Sequence, residues 1–268
     1  MNKKWLASLA LLSALSSVAR GLPQNPDVRH GSVQIQGAAG LLQILQSSPQ
    51  AIINWSQFNI SPAEVVRFLQ PGNGVVLNRV TGNQSSLIAG LLEANGKLIL
   101  LNPNGVLFTQ SAQVNAGSLL VSTLNMSDSD FLANNYRLAQ DPNQAMAAVV
   151  NQGRLEVNDG GYLVLVSPLV HNEGVIVAST EASLTFDPEG MIQFSLADGY
   201  RGAAAPAANP GPVLLAPGQL TDVLAGVVAV DPSQEMTTLQ GVQGLLSNAG
   251  RISVDGATQA GTIKLDSS

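Results

Sequence analysis

Asn151-Gln152-Gly153-Arg154-Leu155-Glu156-Val157 and Asn172-Glu173-Gly174-Val175-Ile176-Val177-Ala178 carry one pattern: Asn, any residue, Gly, then apolar side chains at the fourth and sixth positions after the Asn. Asn and Gly tolerate the left-handed backbone that a sharp corner needs, and the alternation that follows suits a strand with one buried face. The pattern recurs at Asn115 and Asn248. The 21-residue step from Asn151 to Asn172 is the length of a solenoid coil, whereas the other steps, 36 and 76, are not multiples of it. Asn158 fits the motif only seven residues after Asn151, so the pattern marks a turn feeding a strand rather than a whole coil.

Outward from these copies, the chain from Val33 onward alternates short Val, Ile and Leu runs with Asn-Gly, Pro-Gly and Gly-Gly punctuation. Gly74 to Val80, Gly96 to Leu101 and Gly161 to Val166 are examples. A coil of this kind buries its apolar face only by stacking on its neighbours. Only 4% of the residues are aromatic, which suits a narrow interior of aliphatic side chains, and the 20 Asn can add amide ladders between coils. One helix is predicted, over Ser129 to Gln140, capped by Asp128 or Ser129, with Phe131, Leu132 and Tyr136 on one stripe. Ser61-Pro62-Ala63-Glu64 has capping-box spacing, but Val66, Phe68 and Gln70 alternate and Pro71-Gly72 closes the run, so a turn into a strand is favoured.

The ends differ from this body. Lys3 and Lys4, the apolar run Trp5 to Leu15 and the small residues Ser17-Val18-Ala19 read as a signal peptide over 1–19, handed to the general secretion machinery and cut by signal peptidase. No later stretch is apolar for long enough to span a bilayer, so the mature chain is not expected to be an integral membrane protein. Residues 199–219 hold Pro206, Pro210, Pro212 and Pro217 and read as a linker or protrusion, while 220–268 reads as further β-helical coils, truncated relative to a longer array.

Chemistry is sparse. The chain has 268 residues, a net charge of −6 and no Cys, which excludes disulfides, thiolate metal sites and thiol catalysis. Its basic residues are scattered, so nucleic acid is not an expected partner. His30 and His171 lack a second His or a carboxylate at ligand spacing and read as turn or surface residues. Gly90 to Lys97 fails as a phosphate loop, with five residues between its glycines and Leu98 where a hydroxyl is needed. Asp128 and Asp130 read as helix-capping groups; Glu156/Asp159 and Asp187/Glu189 have the residue types of a paired-carboxylate glycosidase or lyase, but Pro188-Glu189-Gly190 reads as a turn. No catalytic residue, metal or cofactor is expected.

From Val33 to about Val177 the chain resembles the amino-terminal secretion domain of filamentous haemagglutinin-like exoproteins, the substrates of two-partner secretion. The resemblance rests on Ile52-Ile53-Asn54-Trp55-Ser56-Gln57-Phe58-Asn59-Ile60, Phe68-Leu69-Gln70-Pro71 and Leu77-Asn78-Arg79-Val80-Thr81-Gly82. It continues through Ala94-Asn95-Gly96-Lys97-Leu98 and Leu101-Asn102-Pro103-Asn104-Gly105-Val106-Leu107-Phe108. It implies an all-β fold, a right-handed parallel β-helix over 20–198 with an N-terminal cap and small extra-helical β elements. It also implies recognition by the periplasmic domains of an outer-membrane barrel transporter, folding outside a Gram-negative-type envelope, and a secreted or cell-surface, adhesin-like product with a host or cell-surface receptor as further partner.

Asn102, Pro103, Asn104 and Gly105 match the family's best-known motif and, with Asn78 and Arg79, are the expected secretion determinants. The four residues also read as a rigid turn, with Pro at its second position. Trp55 and Phe58 read as core or cap anchors. A second Asn-Pro-Asn-Leu motif, common in the family, is absent from the sequence. Two alternatives stay open: a secreted β-helical polysaccharide lyase or hydrolase, and a surface structural protein assembling through β edges.

Overall fold

The structure, a computed structural model, describes residues 21–139, 141, 143–145, 147–158, 161–177, 181–186, 191–194, 245–248, 251–253 and 262–267. The expected signal peptide and the 199–219 linker therefore lie outside the described residues.

The strands wind as a parallel β-solenoid of about six turns. Two strands precede the coils, β1 (Asp27–His30) and β2 (Val33–Ala38). The first coil holds β3 (Leu41–Gln46) and β4 (Gln50–Trp55), and the second β5 (Val65–Leu69), β6 (Val75–Val80) and β7 (Ser86–Ile88). The third is β8 (Leu91–Leu101), which runs through two faces, and β9 (Val106–Phe108). The fourth is β10 (Gln113–Ser122) and β12 (Ala148–Asn151), with α1 (Asp128–Leu132) and β11 (Tyr136–Ala139) between them. Then come β13 (Arg154–Val157), β14 (Tyr162–Val166) and β15 (Leu169–Asn172), followed by β16 (Val175–Val177) and β17 (Glu181–Phe186). The remaining strands are β18 (Met191–Phe194), β19 (Leu245–Asn248), β20 (Arg251–Ser253) and β21 (Thr262–Ser267).

In-register parallel pairing builds three faces. The first stacks β3, β5, the start of β8, the start of β10, β13, β16 and β20. The second stacks β4, β6, the ends of β8 and β10, β14, β17 and β21. The third stacks β7, β9, β12, β15 and β19. The cap pairs antiparallel, β1 on β4 and β2 on β3. Proline at position 26, charges at Asp27 and Arg29 and a bulge between Val28 and His30 mark β1 as a guarded edge.

The Asn-x-Gly copies sort by this register. Asn151, Asn172 and Asn248 are stacked partners on the third face, so the 76-residue step is a single coil rise. The Asn151 amide donates to Asn172 Oδ1 at 2.7 Å, an amide ladder rung that is fully buried. Asn115 does not belong to this ladder: it lies inside β10, exposed, between Glu93 and Glu156.

The expected helix over Ser129 to Gln140 is shorter in the structure. Ser127, not Asp128 or Ser129, caps it, and it stops at Leu132 because Asn134 takes a left-handed φ of 56°. Tyr136 and Leu138 then alternate inward from β11, so burial on the coil beneath overrides the helical stripe. At Ser61 the capping-box bond does form, Ser61 N to Glu64 Oε2 at 2.8 Å, but it closes a turn into β5 as favoured.

Small aliphatic side chains fill the interior in stacked rows, with Trp55 and Phe58 edge to face at 5.8 Å near the capped end. Both rings are buried, as core anchors should be. At the corner between the first two faces Gly96 lies under Gly74, and Gly117 under Gly96. A Cβ on Gly117 would sit 2.7 Å from the Gly96 carbonyl oxygen. Gly117→Ala is therefore expected to destabilise the solenoid by roughly 1–3 kcal/mol, as overpacking does. Urea unfolding of the variant against wild type checks this.

Candidate functional site

The Asn-Pro-Asn-Gly corner follows β8, where the chain turns from the second face to the third. Gly105 N donates to Asn102 O at 3.0 Å, closing a four-residue turn with Pro103 at its second position, and Gly105 has a φ of 107° that a side chain would disfavour. Asn102 is 0% exposed. Its amide donates to Gln84 O at 3.0 Å and Ser86 Oγ at 2.9 Å, and its Oδ1 accepts from Asn104 N at 3.0 Å and Asn104 Nδ2 at 3.1 Å. Asn104 also donates to Gly82 O at 2.9 Å and accepts from Gln144 at 3.3 Å. The two amides thus tie the turn down onto the preceding coil. Pro103 and Asn104 remain half-buried, the part of the motif that reaches the surface.

Asn78 and Arg79 lie near the end of β6, one coil earlier. Asn78 takes an inward position in register with Ile53 and Leu100 and is 0% exposed. It accepts from Trp55 Nε1 at 3.0 Å and donates to Ile99 O at 3.3 Å, so it satisfies the one polar atom of the indole. Arg79 points outward. Its guanidinium donates to Asn54 Oδ1 and Asn125 Oδ1, both at 3.1 Å, and to Met126 O at 2.6 Å, and pairs with Asp128 at 2.8 Å. The six expected residues therefore divide: Asn102 to Gly105 and Asn78 brace two adjacent coils, and Arg79 clamps a segment lying outside them.

That segment, residues 124–139, was only partly legible. It forms a strap of α1 and β11 across the outer surface of the second face, with β11 paired antiparallel to β18. Beneath it a row in register, Ile52, Leu77, Ile99, Leu120 and Val164, faces outward and is buried by Met126, Phe131, Tyr136 and Leu138. Gln50 Nε2 reaches Phe131 O at 3.2 Å and Asn134 Oδ1 at 3.1 Å, anchoring the strap on the first coil. The sequence signal was present in the unbroken apolar runs Leu98 to Leu101 and Tyr162 to Val166, which mark strands covered on both sides. Burial pushes the Tyr162 hydroxyl well above its ordinary pKa, and nearby Tyr136 adds to the shift.

Other candidate groups take structural roles. Asp130 Oδ2 accepts from Ser127 Oγ at 2.6 Å at the cap of α1, and Glu156 pairs with Arg154 at 2.8 Å. Asp159, Asp187 and Glu189 lie outside the described residues. His30 is exposed on β1, but His171 is not a turn or surface residue: it sits in β15 with its side chain 5% exposed and Nε2 3.0 Å from Glu173. The apolar alternation around it gave no sign that a polar ring would take an outward yet covered position. Among the described residues no three His, Asp or Glu gather as a metal site.

A family model described as the TPS secretion domain matches residues 19–265. The chain belongs to the TPS secretion domain family. Against the crystal structure of the HMW1 secretion domain from Haemophilus influenzae the TPS domain superposes with a TM-score of 0.70 at 30% identity, covering 91% of this chain and 56% of that one. Two Haemophilus influenzae proteins named heme/hemopexin-binding protein are similar. One, from strain Rd, is 32% identical over 209 residues, 74% of this chain and 23% of that protein. The other is 36% identical over 146 residues, 52% of this chain and 16% of that protein. The TPS domain thus spans less than a quarter of the length of these curated relatives. Its family is that of two-partner secretion exoproteins, and membership implies a cognate outer-membrane transporter.

Asn102→Ala leaves Ser86, Gln84 O and the Asn104 amide without their partner in a buried corner, and is expected to cost roughly 2–4 kcal/mol. Asn104→Ala, half-buried, should cost about 1 kcal/mol. Denaturant midpoints at constant slope separate the two. Arg79→Ala is expected to raise amide exchange across 124–139 before the coils themselves loosen, with Arg67→Ala, which breaks an exposed pair with Glu93 on the first face, as the control.

Proposed function

We propose that the domain serves secretion chiefly through how it folds, with the Asn-Pro-Asn-Gly corner as a folding element and not as a side-chain epitope displayed on the finished surface. The burial of Asn102, with both ends of its amide engaged, carries this reading. A transporter meeting the native domain would find Pro103 and Asn104 and little else of the motif. The outer-membrane barrel's periplasmic domains would then bind the chain before the corner closes, and closure outside would supply free energy that favours outward movement. In the same reading residues 1–19 lead the chain through the general secretion machinery into the periplasm and are removed by signal peptidase. The first coils, once formed, template those that follow by offering in-register strand edges.

The domain is read as a non-enzymatic module of a secreted or cell-surface exoprotein. Receptor binding, and the haem or hemopexin binding that the relatives' names state, are candidate activities of the whole exoprotein. The lyase or hydrolase alternative is not favoured, since the family match is to a secretion domain.

The test is secretion with the cognate transporter. Asn102→Ala should lower the folded product in the medium several-fold, while the urea-unfolded variant should bind the transporter's isolated periplasmic domains as well as unfolded wild type. Loss of that binding would make the motif a direct contact instead, and full secretion of the variant would remove the corner from the export mechanism.

A further inference from the structure

Three Asn-Gly pairs occur in the chain, Asn73-Gly74, Asn95-Gly96 and Asn104-Gly105. Gly after Asn leaves the next backbone nitrogen unshielded by any side chain, so it can reach the Asn side-chain carbonyl carbon and close a five-membered ring. The solenoid treats the three pairs differently. Asn104 is held through Nδ2 by Gly82 O at 2.9 Å and Asn102 Oδ1 at 3.1 Å, and the would-be nucleophile Gly105 N is bonded to Asn102 O at 3.0 Å. Asn95 is clamped to one backbone unit from both sides: Oδ1 accepts from Gln70 N at 2.7 Å, and Nδ2 donates to Gln70 O at 2.9 Å. Asn73 is exposed at a corner with φ 60°, and its side chain makes no hydrogen bond within the described residues. The would-be nucleophile Gly74 N is bonded only within the local turn, to Pro71 O at 2.8 Å, and Gly72 and Asn73 of that turn are both exposed.

We propose that Asn73 is a site of spontaneous covalent modification in the folded protein, deamidating through a succinimide, and that the fold shields the Asn95 and Asn104 pairs from the same reaction. Gly74 N gives up its proton to hydroxide and forms a bond to Asn73 Cγ. The Cγ–Nδ2 bond breaks and the side-chain nitrogen leaves as ammonia, taking a proton from water. Water then opens the ring at either carbonyl, giving aspartate or isoaspartate at position 73 with no change of oxidation state. Opening the exposed turn is a local event, whereas freeing Asn95 or Asn104 requires two stacked coils to part.

The product adds one negative charge to the corner. The isoaspartate form also lengthens the main chain by one carbon beside Gly74, whose carbonyl accepts from Lys97 N at 2.9 Å in the next coil. The inference does not depend on the proposed secretion role, since it concerns the folded domain alone.

Peptide mass spectrometry on the full chain, aged in mildly alkaline buffer with and without denaturant, tests it. In the folded protein the gain of about one mass unit at Asn73 should outpace that at Asn95 and Asn104 by about tenfold or more. In denaturant the three rates should converge to within about twofold, because the flanking sequence no longer has a fold to enforce the difference. Equal rates at all three sites in the folded protein would overturn the proposal, and so would an advantage for Asn73 that persists undiminished in denaturant. Asn73→Gln, which would have to close a larger ring, should abolish conversion at position 73 while leaving the circular dichroism spectrum unchanged.

Discussion

Every corner of this solenoid brings the backbone of one coil against that of the next, at a spacing fixed by the parallel strand ladder. At such a place a side chain must either vanish or supply the hydrogen bonds that the bent backbone has lost. The chain uses both answers. Between the first and second faces Gly74, Gly96 and Gly117 remove the side chain, so that each carbonyl can sit against the next glycine. Between the second and third faces Asn102 and Asn104 supply three amide bonds to the loop of the preceding coil and one to each other. Between the third and the first, Asn151 and Asn172 link successive coils amide to amide. The stacked Val, Ile and Leu rows can be continuous because the corners are solved first.

This ordering explains why so few charged groups are needed. A thin interior offers no room for a solvated ion, and the polar atoms that enter it are mostly amides and hydroxyls with partners, such as Asn78 under Trp55 and Ser167 against Thr123 at 2.8 Å. Neutral donors and acceptors cost less to bury than ions and can be satisfied by backbone alone. The charged pairs Arg67 with Glu93 and Arg154 with Glu156 lie on the outer surface of the first face, and Arg79 with Asp128 joins the second face to the strap.

The corners were legible in the sequence because Asn, Gly and Pro have local conformational reasons to be there. Asn151 and Asn172 announced a coil by their spacing, and the Asn102 turn by its composition. What spacing does not carry is partnership across coils: Asn115 has the same local motif yet sits mid-strand between two glutamates, and Asn248 belongs to the ladder despite 76 intervening residues. Within the strap Phe131, Leu132 and Tyr136 satisfy a helical stripe equally well, and their spacing alone points to a longer helix. The left-handed Asn134 and the apolar outer row it faces decide otherwise. Arg79 matched a family motif, but its contacts with Asn125, Met126 and Asp128 are 46 residues or more away along the chain and left no trace in its local sequence.

An array of stacked coils held only by nearest neighbours peels one rung at a time when tension is applied at an end. The strap changes that mechanics. It is fastened to the first coil at Gln50, to the second at Arg79, and it rests on Tyr162, Val164 and Val166 of the fifth. A load on the amino end therefore cannot strip the first coil without also shearing a plate that spans rungs further along. The domain resists unwinding from its amino end more like a riveted sheet than a zipper.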